Sequence, residues 1–544
     1  MTEKLTLRDN PTMRWIALLL LALAMFCSYI FMDILSPIKD LMQDTRGWDS
    51  ASFGRMQGAE VFLNVYVFFL IFAGIILDKM GVRFTAVLSG AVMLVGGLIK
   101  FYAVSESFMG TSMETWFNTH LNWNVNIPFI GDILPFADGM PGSAKLAAIG
   151  FMIFGSGCEM AGITVSRGIV KWFKGRETAL AMGSEMALAR LGVATCMIFS
   201  PYFAKLGGEV HVENSVKFGV VLLCIALMMF IVYFFMDKKL DSQTGEAEEK
   251  DDPFKLSDLG KIFSSLGFWL VALLCVLYYS AIFPFQKYAV NMLQCNLTLN
   301  PADINTYWGG STESFPISVT IVQYIIMLIV AICSFASNFS KKKGLKFGLM
   351  AVAVIALVVY CYMGYMRGTA ETIFAVFPLL AVAITPILGN YVDHKGKAAT
   401  MLMLGSILLV ACHLTFAFIL PAFMGNAVGG TVIAYVTILV LGASFSLVPA
   451  ALWPSVPKLV DEKIIGSAYA AIFWIQNIGL GLFPTLIGNV LQKTNPEGTA
   501  AHELNYTWAL IMLAALGIAA LLISIYLKAV DKKKGYGLEE ANIK

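Results

Sequence analysis

Charged residues are scarce in this sequence: Asp, Glu, Lys and Arg make up only 14% of its 544 residues. A soluble domain carries roughly 25%. Hydrophobic residues account for 58% of the chain, and the mean hydropathy is +0.74. The formal net charge is only +2, which indicates neither a strongly basic nor a strongly acidic partner. The composition predicts a membrane protein whose partner is the lipid bilayer and not a nucleic acid.

Motifs for covalent chemistry are also missing. The nine cysteines are an odd number, and no C-x-x-C pair occurs. All of them except Cys295 lie in apolar runs, so neither a disulfide scaffold nor a zinc site is indicated. Neither G-x-x-x-x-G-K-[ST] nor H-E-x-x-H is found. We therefore expect a protein that is not an enzyme and that has no metal site and no cofactor.

Long apolar runs dominate what remains. A helix that crosses a bilayer needs about 20 largely apolar residues. The run that follows "MTEKLTLRDNPTMRW" is too long for a removable signal peptide, so we interpret it as the first span. Fourteen runs qualify: 15–36, 56–77, 84–103, 146–168, 178–203, 215–236, 265–286, 316–338, 346–366, 373–392, 398–420, 430–452, 466–490 and 507–528. The fold class is therefore an all-α, polytopic membrane protein.

The loops between these runs predict the orientation of the chain. The loops "LDKMGVR", "KWFKGRE", "SKKKGLK" and "KAVDKKKGYG" are rich in lysine or arginine, and all fall on the side that carries both termini. The opposite loops, which include 104–145 and 287–315, are poorer in these residues. Basic loops favour the cytoplasmic side, so both termini are expected there.

A repeat divides the chain into two parts. "GIILDKMGVR" (74–83) follows the second span and "GNYVDHKGK" (389–397) follows the tenth, and both read G-x-x-x-D-x-x-G. This resembles the major facilitator superfamily, in which two six-helix halves each carry such a loop. The resemblance implies that the loop residues stabilise the closed cytoplasmic face. The candidate gating residues are Asp78, Lys79, Arg83, Asp393, Lys395 and Lys397.

The resemblance also implies the domain boundaries. Fourteen spans exceed twelve by an inserted hairpin, and two added spans preserve the orientation of the spans after them. The predicted units are an N-terminal half (1–236), a cytoplasmic linker (237–264), a C-terminal half (265–286 and 373–528), an inserted hairpin (316–366) and a cytoplasmic tail (529–544).

Two charges lie deep in the fourth and fifth spans. Glu159 precedes and Arg190 follows the turn near residue 174 by similar distances. At 1.5 Å per residue each lies roughly 18 Å from the helix ends, close to the centre of the bilayer. An acid and a base there form either an interhelical salt bridge or a site for a small zwitterion. Arg167 and Glu185 form a second opposite pair, which we expect to be a structural salt bridge.

Four longer sequence stretches resemble one particular family within this superfamily. "GCEMAGITVSRGIVKWFKGRETALAMGSEMALARLG" (157–192), "CVLYYSAIFPF" (275–285), "ALWPSV" (451–456) and "IQNIGLG" (475–481) resemble the lysosomal dipeptide uniporter family. In that family an acid on the fourth helix engages the amino terminus of a peptide, and an arginine on the fifth helix engages its carboxylate. By position, these residues are Glu159 and Arg190.

Further site residues follow from the same resemblance. Tyr278, Tyr279 and Phe283 are candidates for an aromatic wall, although such clusters also occur as packed core. Trp453, Gln476 and Asn477 lie on the facing hairpin. Asp33, an acid in the first span, could bind an amine, take a proton or pair with a lysine, and these alternatives stay open.

The functional expectation is a secondary transporter that moves small zwitterionic solutes, most readily dipeptides, by alternating access between the two halves. The alternatives are a carrier for an amino acid, organic anion or drug, and a transport-like receptor that binds peptide. The animal family's lysosomal sorting signal is missing from the N-terminal segment. We therefore expect a cell (inner) membrane, and whether an accessory subunit exists stays open.

Overall fold

Helices form almost all of the regular structure. The structure is a computed structural model, and it describes residues 6–127, 131–174, 176–244, 256–297, 317–340, 342–460 and 465–541. A short antiparallel ladder, β1 (Asn126–Ile127) with β2 (Gly131–Asp132), also lies in these ranges. Backbone groups in lipid have no water to bond, so apolar runs of this length become helices.

The helices up to residue 244 form what we call the first half. They are α1 (Pro11–Met32), α2 (Lys39–Arg46), α3 (Ser50–Gly58), α4 (Phe62–Tyr66), α5 (Phe69–Val104), α6 (Ser112–His120), α7 (Gly142–Trp172), α8 (Thr178–Ala204) and α9 (Val212–Thr244). Short 3-10 turns at Ser36–Ile38 and Ala59–Val61 join α1 to α2 and α3 to α4. The first helix begins four residues before the predicted span, because the Asn10 side chain caps α1 and Pro11 occupies its first position.

A short helix, α10 (Leu256–Ser264), precedes the second half. The remaining helices are α11 (Leu266–Asn296), α12 (Ile317–Phe339), α13 (Lys343–Arg367), α14 (Ala370–Phe374), α15 (Val376–Lys395), α16 (Ala398–Leu414), α17 (Ala427–Leu459), α18 (Ile465–Thr494) and α19 (Thr507–Lys534). A π-helical turn at Thr415–Ile419 and a 3-10 turn at Leu420–Phe423 extend α16. We call α11 and α14–α19 the second half.

Thirteen helices in the described ranges are long and apolar enough to cross a membrane, whereas the sequence predicts fourteen spans. The difference arises in α5, which joins the end of the predicted second span to the third. Its backbone at Gly81 is not helical, with φ 80° and ψ 166°. Glycine adopts such positive φ values at little cost, so the chain can change direction there.

Contacts with α7 show that the chain does reverse at Gly81. Before it, the backbone at Glu60 lies against Gly155, and Asp78 forms an ion pair with Arg167. Residue numbers therefore increase in the same direction along both segments, so this part of the chain runs parallel to α7.

After Gly81 the order is opposite. Met93 lies against Gly157, and the backbone at Lys100 lies against Gly150, so this part runs antiparallel to α7. The two parts are separate crossings, so the candidate spans of the described residues make fourteen crossings. An even number places both termini on one face, which we call the termini face. The other we call the loop face; it carries residues 105–141 and 424–426.

The two halves meet tightly at the loop face. Tyr288 on α11 donates to the Ser50 and Pro484 carbonyls at 3.0 and 2.9 Å. Lys39 on α2 donates to Asn291 on α11 at 3.1 Å. At Gly58 the backbones of α3 and α18 come so close that a Cβ would overlap the Gly481 carbonyl. The structure therefore shows the loop face closed.

The inserted hairpin, α12 and α13, lies against both halves. The Tyr324 hydroxyl contacts Thr195 on α8 at 3.2 Å, and its ring packs edge-on against Phe199 at 5.0 Å. The Tyr360 hydroxyl on α13 donates to the Thr372 carbonyl on α14 at 3.1 Å. The hairpin thus covers the seam between the halves along one side.

Two predicted segments fall partly outside the described residues. The predicted linker 237–264 begins as the last two turns of α9 and ends as α10, and residues 245–255 between them are not described. Of the loop 287–315, the first ten residues belong to α11 and most of the rest is not described. The seventh span is therefore longer than predicted, which brings Lys287 inside it.

Candidate functional site

Two charged side chains at mid-depth form the centre of the candidate site. Glu159 projects from α7 and Arg190 from α8, and both are partly exposed although their neighbours are mostly buried. Both charges act electrostatically on Tyr29 of α1, so the three groups share one region. Nothing lies within 4 Å of where a Cβ at Gly162 would stand, one turn beyond Glu159, so space is open there.

Glu159 contacts the second half of the chain. The Asn477 amide on α18 donates to a Glu159 carboxylate oxygen at 3.4 Å. Among the described residues, no second hydrogen bond to this carboxylate is found. No lysine, arginine or histidine lies within ion-pair distance of Glu159 in that part of the chain. The expected alternative of a structural salt bridge with Arg190 is therefore absent from the described structure.

Arg190 is surrounded by aromatic rings. Its guanidinium carbon lies 4.9 Å from the centroid of Phe283 and 5.0 Å from that of Phe445, with Tyr29 at 6.0 Å. Cation–π contacts offset part of the cost of burying a guanidinium, but they leave its N–H donors free for a carboxylate. Within the described ranges no acid lies within 4 Å of Arg190, although the charge of Glu185 acts on it from further away.

The second predicted pair is wrong. Arg167 forms an ion pair with Asp78 at 2.6 Å, and Glu185 has no ion-pair partner among the described residues. Similar depth in neighbouring helices was not enough to predict that Arg167 and Glu185 pair. Asp78, the acid of the repeated loop motif, lies closer to Arg167 than Glu185 does.

Part of the predicted aromatic wall comes together beside Arg190. The Trp453 indole donates to the Tyr279 hydroxyl at 3.1 Å. The Tyr279 ring lies 5.4 Å from Phe283, which in turn lies 5.5 Å edge-on to Phe445. These side chains form a continuous aromatic surface from α11 to α17, and Trp453 and Phe283 are partly exposed on it.

Tyr278 and Gln476 lie elsewhere. The Tyr278 hydroxyl donates to the Ser444 carbonyl at 2.7 Å inside the second half, and only 1% of the residue is exposed. The Gln476 carbonyl oxygen accepts from the Cys275 thiol at 3.2 Å, again within that half. Both side chains are buried inside the second half, and no contact of either with Arg190 or Glu159 is found among the described residues.

Asp33 pairs with a lysine, which is one of its three predicted alternatives. Its carboxylate lies 2.8 Å from the Lys287 ammonium and accepts from the Gln286 amide at 2.7 Å. Glu60 lies 3.8 Å from the same ammonium. This charged cluster is nearer the loop face than Glu159 is.

The predicted gating residues all lie at the termini face. Asp78 binds Arg167, and Arg83 binds Asp241 of α9 at 2.6 Å, both within the first half. Lys397 immediately precedes α16 with φ 66°, and its backbone N–H donates to the Glu539 carbonyl at 3.1 Å. Asp393 is partly exposed near the end of α15, and Lys79 and Lys395 are exposed.

Several side chains near the site escaped the sequence analysis. Tyr29 and Phe445 carry no pattern that separates them from other apolar residues of their spans. Glu60, Lys100 and Lys287 did carry a signal, because a charge inside a membrane span is costly and usually functional. Lys287 was missed because the seventh span was predicted to end one residue earlier.

One group of side chains in the described residues could hold a metal ion. Glu106, His211 and Glu213 bring their ligand atoms within 4.8 Å of one another at the loop face. Glu213 also pairs with Arg46 at 2.9 Å. An arginine already bound to one of these three ligands, none of which is buried, disfavours a cation at this position.

Comparison with solved structures supports the fold. A crystal structure of the nucleoside transporter NupG is similar over 94% of this chain and 98% of its own, with a TM-score of 0.58 and 11% identity. A structure described as giving insights into substrate recognition in proton dependent oligopeptide transporters covers 95% and 99%, with a TM-score of 0.54 and 12% identity. At such identities the likeness concerns the fold alone.

Sequence comparison gives the relatives. The lysosomal dipeptide transporter MFSD1 of Bos taurus is 25% identical over 370 residues, which is 66% of this chain and 62% of that protein. The human protein of the same name is 24% identical over 372 residues, 67% and 63%. The match thus spans less than two thirds of these curated relatives. The pattern of the Major Facilitator Superfamily matches residues 21–372, which is more than half of the chain. The chain therefore belongs to the major facilitator superfamily.

Proposed function

We propose that this protein carries small zwitterionic solutes, dipeptides in particular, across a membrane by alternating access. The observation that carries the proposal is the pair of unmatched charges at mid-depth. Glu159 and Arg190 each lack an ion-pair partner among the described residues, and each is partly exposed. A free dipeptide offers an ammonium and a carboxylate several ångström apart, which would supply both counter-charges.

In this account each part of the site has a separate role. Glu159, oriented by Asn477, holds the amino terminus, and Arg190 holds the carboxylate between the rings of Phe283 and Phe445. Tyr279 and Trp453 line the space beside them. Because these contacts recognise only the two termini of the peptide and not its side chains, the protein should accept many different dipeptides. The resemblance to dipeptide transporters supports this choice of substrate over other solutes.

Alternating access is the second part of the proposal. The loop face is closed by the contacts of Tyr288, Lys39 and Gly58 described above. Opening that face while the termini face closes would expose the site to the other side. Asp78 and Asp393, with Lys79, Arg83, Lys395 and Lys397, would stabilise the closed termini face. We further propose that the termini face is cytoplasmic and that the protein works in a cell membrane.

Thermal stabilisation of the purified protein tests the substrate class. A ligand that binds only the folded state raises the melting temperature, by an amount set by its concentration relative to Kd. Free dipeptides should stabilise the protein, whereas N-acetylated and C-amidated dipeptides, single amino acids and nucleosides should stabilise it far less. Stabilisation by a single amino acid, an organic anion or a nucleoside, with none by dipeptides, would overturn the dipeptide assignment.

Uptake into proteoliposomes separates a carrier from a receptor. A carrier releases labelled dipeptide into the vesicle lumen, and unlabelled dipeptide preloaded inside accelerates the exchange. A binding-only receptor saturates at one ligand per protein and leaves the lumen empty, which would contradict transport while keeping the site.

A further inference from the structure

Four charged side chains lie together on the loop-face side of the candidate site; three are buried, and the side chain of Glu60 is 14% exposed. Asp33, Glu60 and Lys100 belong to the first half, and Lys287 belongs to the second. The Lys287 ammonium lies 2.8 Å from Asp33 and 3.8 Å from Glu60, and it also donates to the Met32 carbonyl at 3.2 Å. The side chains of Asp33 and Lys287 are only 2% and 8% exposed. The cluster therefore joins the halves where the loop face is closed.

Lys100 is the member without a hydrogen bond. It is fully buried, and its ammonium has no hydrogen-bond partner among the described residues. It lies 3.6 Å from the centroid of Phe151, and the Lys287 ammonium lies 5.9 Å from the same ring. The charged groups that act on it are Lys287, Glu60 and Asp33. A cation–π contact offsets only part of the cost of burying a lysine, so its place beside two acids calls for an explanation.

Counting charges by half supplies that explanation. Asp33 and Glu60 give the first-half side of the cluster two negative charges, and Lys100 reduces the sum to one. The second half then contributes one positive charge, on Lys287. The remaining charged neighbour of Glu60 is Glu159, which belongs to the candidate ligand site and contacts Asn477. Closing the loop face thus buries a neutral cluster, and opening it separates one net negative from one net positive charge.

We propose that these four residues form a charge-matched gate that closes the loop face. Lys287 is the gating residue of the second half. Lys100 is a positioning residue that sets the charge of the opposite side so that a single lysine matches it. A buried cluster with one charge unbalanced is strongly disfavoured, so any single neutralisation opens the gate. A second neutralisation of opposite sign closes it again.

The inference rests on the proposed alternating access and does not depend on the solute. Spin labels at Val210 and Met424, exposed residues at the loop-face ends of the first and second halves, report the opening as a distance in lipid nanodiscs. The nine native cysteines are first replaced. In the ligand-free protein with the cluster intact we expect mainly the short distance.

The decisive comparison uses two single variants and their double. Lys100→Met and Glu60→Gln should each raise the ratio of open to closed populations by about tenfold or more. The double variant Lys100→Met/Glu60→Gln should return the distribution to that of the unchanged cluster, because Asp33 and Lys287 then balance alone. If the double variant is as open as the singles or more open, Lys100 and Glu60 act independently and the charge-matching proposal is wrong.

Matched controls keep the test decisive if one single variant does not fold. Asp33→Asn should open the gate, and Asp33→Asn/Lys100→Met should restore closure, because Glu60 and Lys287 then balance across the halves. Glu213→Gln breaks the ion pair with Arg46, which lies at the loop face but within the first half, so it should leave the distances unchanged. An opening equal to that of Glu60→Gln would mean that any loss of charge at this face opens it, which also contradicts the proposal. A normal gate in a protein that carries no dipeptide would overturn the proposed substrate and leave the gate standing.

Discussion

Asn477 of the second half donates to Glu159 of the first at 3.4 Å, and this contact joins the halves at the level of the candidate site. A ligand ammonium at Glu159 would lie beside it. Because each half contributes one partner, the state of the site and the relative position of the halves are linked.

This link predicts the effect of shortening Asn477. Asn477→Ala should weaken dipeptide binding by roughly fivefold, because about 1 kcal/mol of hydrogen bonding that orients the carboxylate is lost. Titration calorimetry measures the change. The neighbouring Gln476→Ala is the matched control, since that amide binds Cys275 inside the second half and should leave affinity within about twofold. Equal losses in both variants would show that Asn477 has no special role.

The rings around Arg190 predict a second effect. Phe283→Leu removes the cation–π contact at 4.9 Å and should weaken dipeptide binding by a few fold, since such a contact contributes about 1 kcal/mol. C-amidated dipeptide, which lacks the carboxylate that Arg190 holds, should bind equally weakly to both proteins. A larger loss for the amidated ligand would place the ring at another part of the substrate.

Close backbone packing at the loop face predicts the effect of a larger side chain at Gly58. Gly58→Val should hold that face open, because even a Cβ at Gly58 overlaps the Gly481 carbonyl. We expect a longer distance between labels at Val210 and Met424 and slow transport. Gly74→Val is the control, because nothing lies within 4 Å of a Cβ there. Normal transport by the Gly58 variant would contradict closure through this contact.

The loop motif of the first half predicts a difference in stability. Asp78→Asn should lower the free energy of unfolding by about 1 kcal/mol, because its ion pair with Arg167 is only partly buried. Lys79→Met removes the adjacent, exposed charge and should change the melting temperature little. Identical melting curves for both variants would mean that the Asp78 pair contributes nothing in this state.

The sequence predicted the architecture well because lipid constrains it. Runs of about 20 apolar residues can only become spanning helices, so the fourteen crossings were readable even where Gly81 joins two of them in one helix. The depth of Glu159 and Arg190 could be predicted for the same reason, since few residue types are tolerated there, but the sequence left open whether the two charges pair with each other.

The directions in which side chains point could not be predicted from the sequence. Tyr278 and Tyr279 are adjacent in a run of aromatic and apolar residues, yet one faces the core of its half and the other Trp453. The pairing of Arg167 with Asp78 depends on how the second span packs against α7. The spacing of residues within α7 and α8 carries no information about that packing. Lys287 escaped because the exact end of a helix is the least certain feature of a hydropathy pattern.

The most direct test of the two-ended site combines ligand and protein changes in one cycle. Calorimetry would measure Kd for a free dipeptide, its N-acetylated form and its C-amidated form, with the unchanged protein, Glu159→Gln and Arg190→Gln. The account predicts that N-acetylation weakens binding at least about tenfold in the unchanged protein but hardly in Glu159→Gln. Amidation should behave in the same way with Arg190→Gln. If each modification costs as much in the variant as in the unchanged protein, neither charge holds a peptide terminus and the central claim fails.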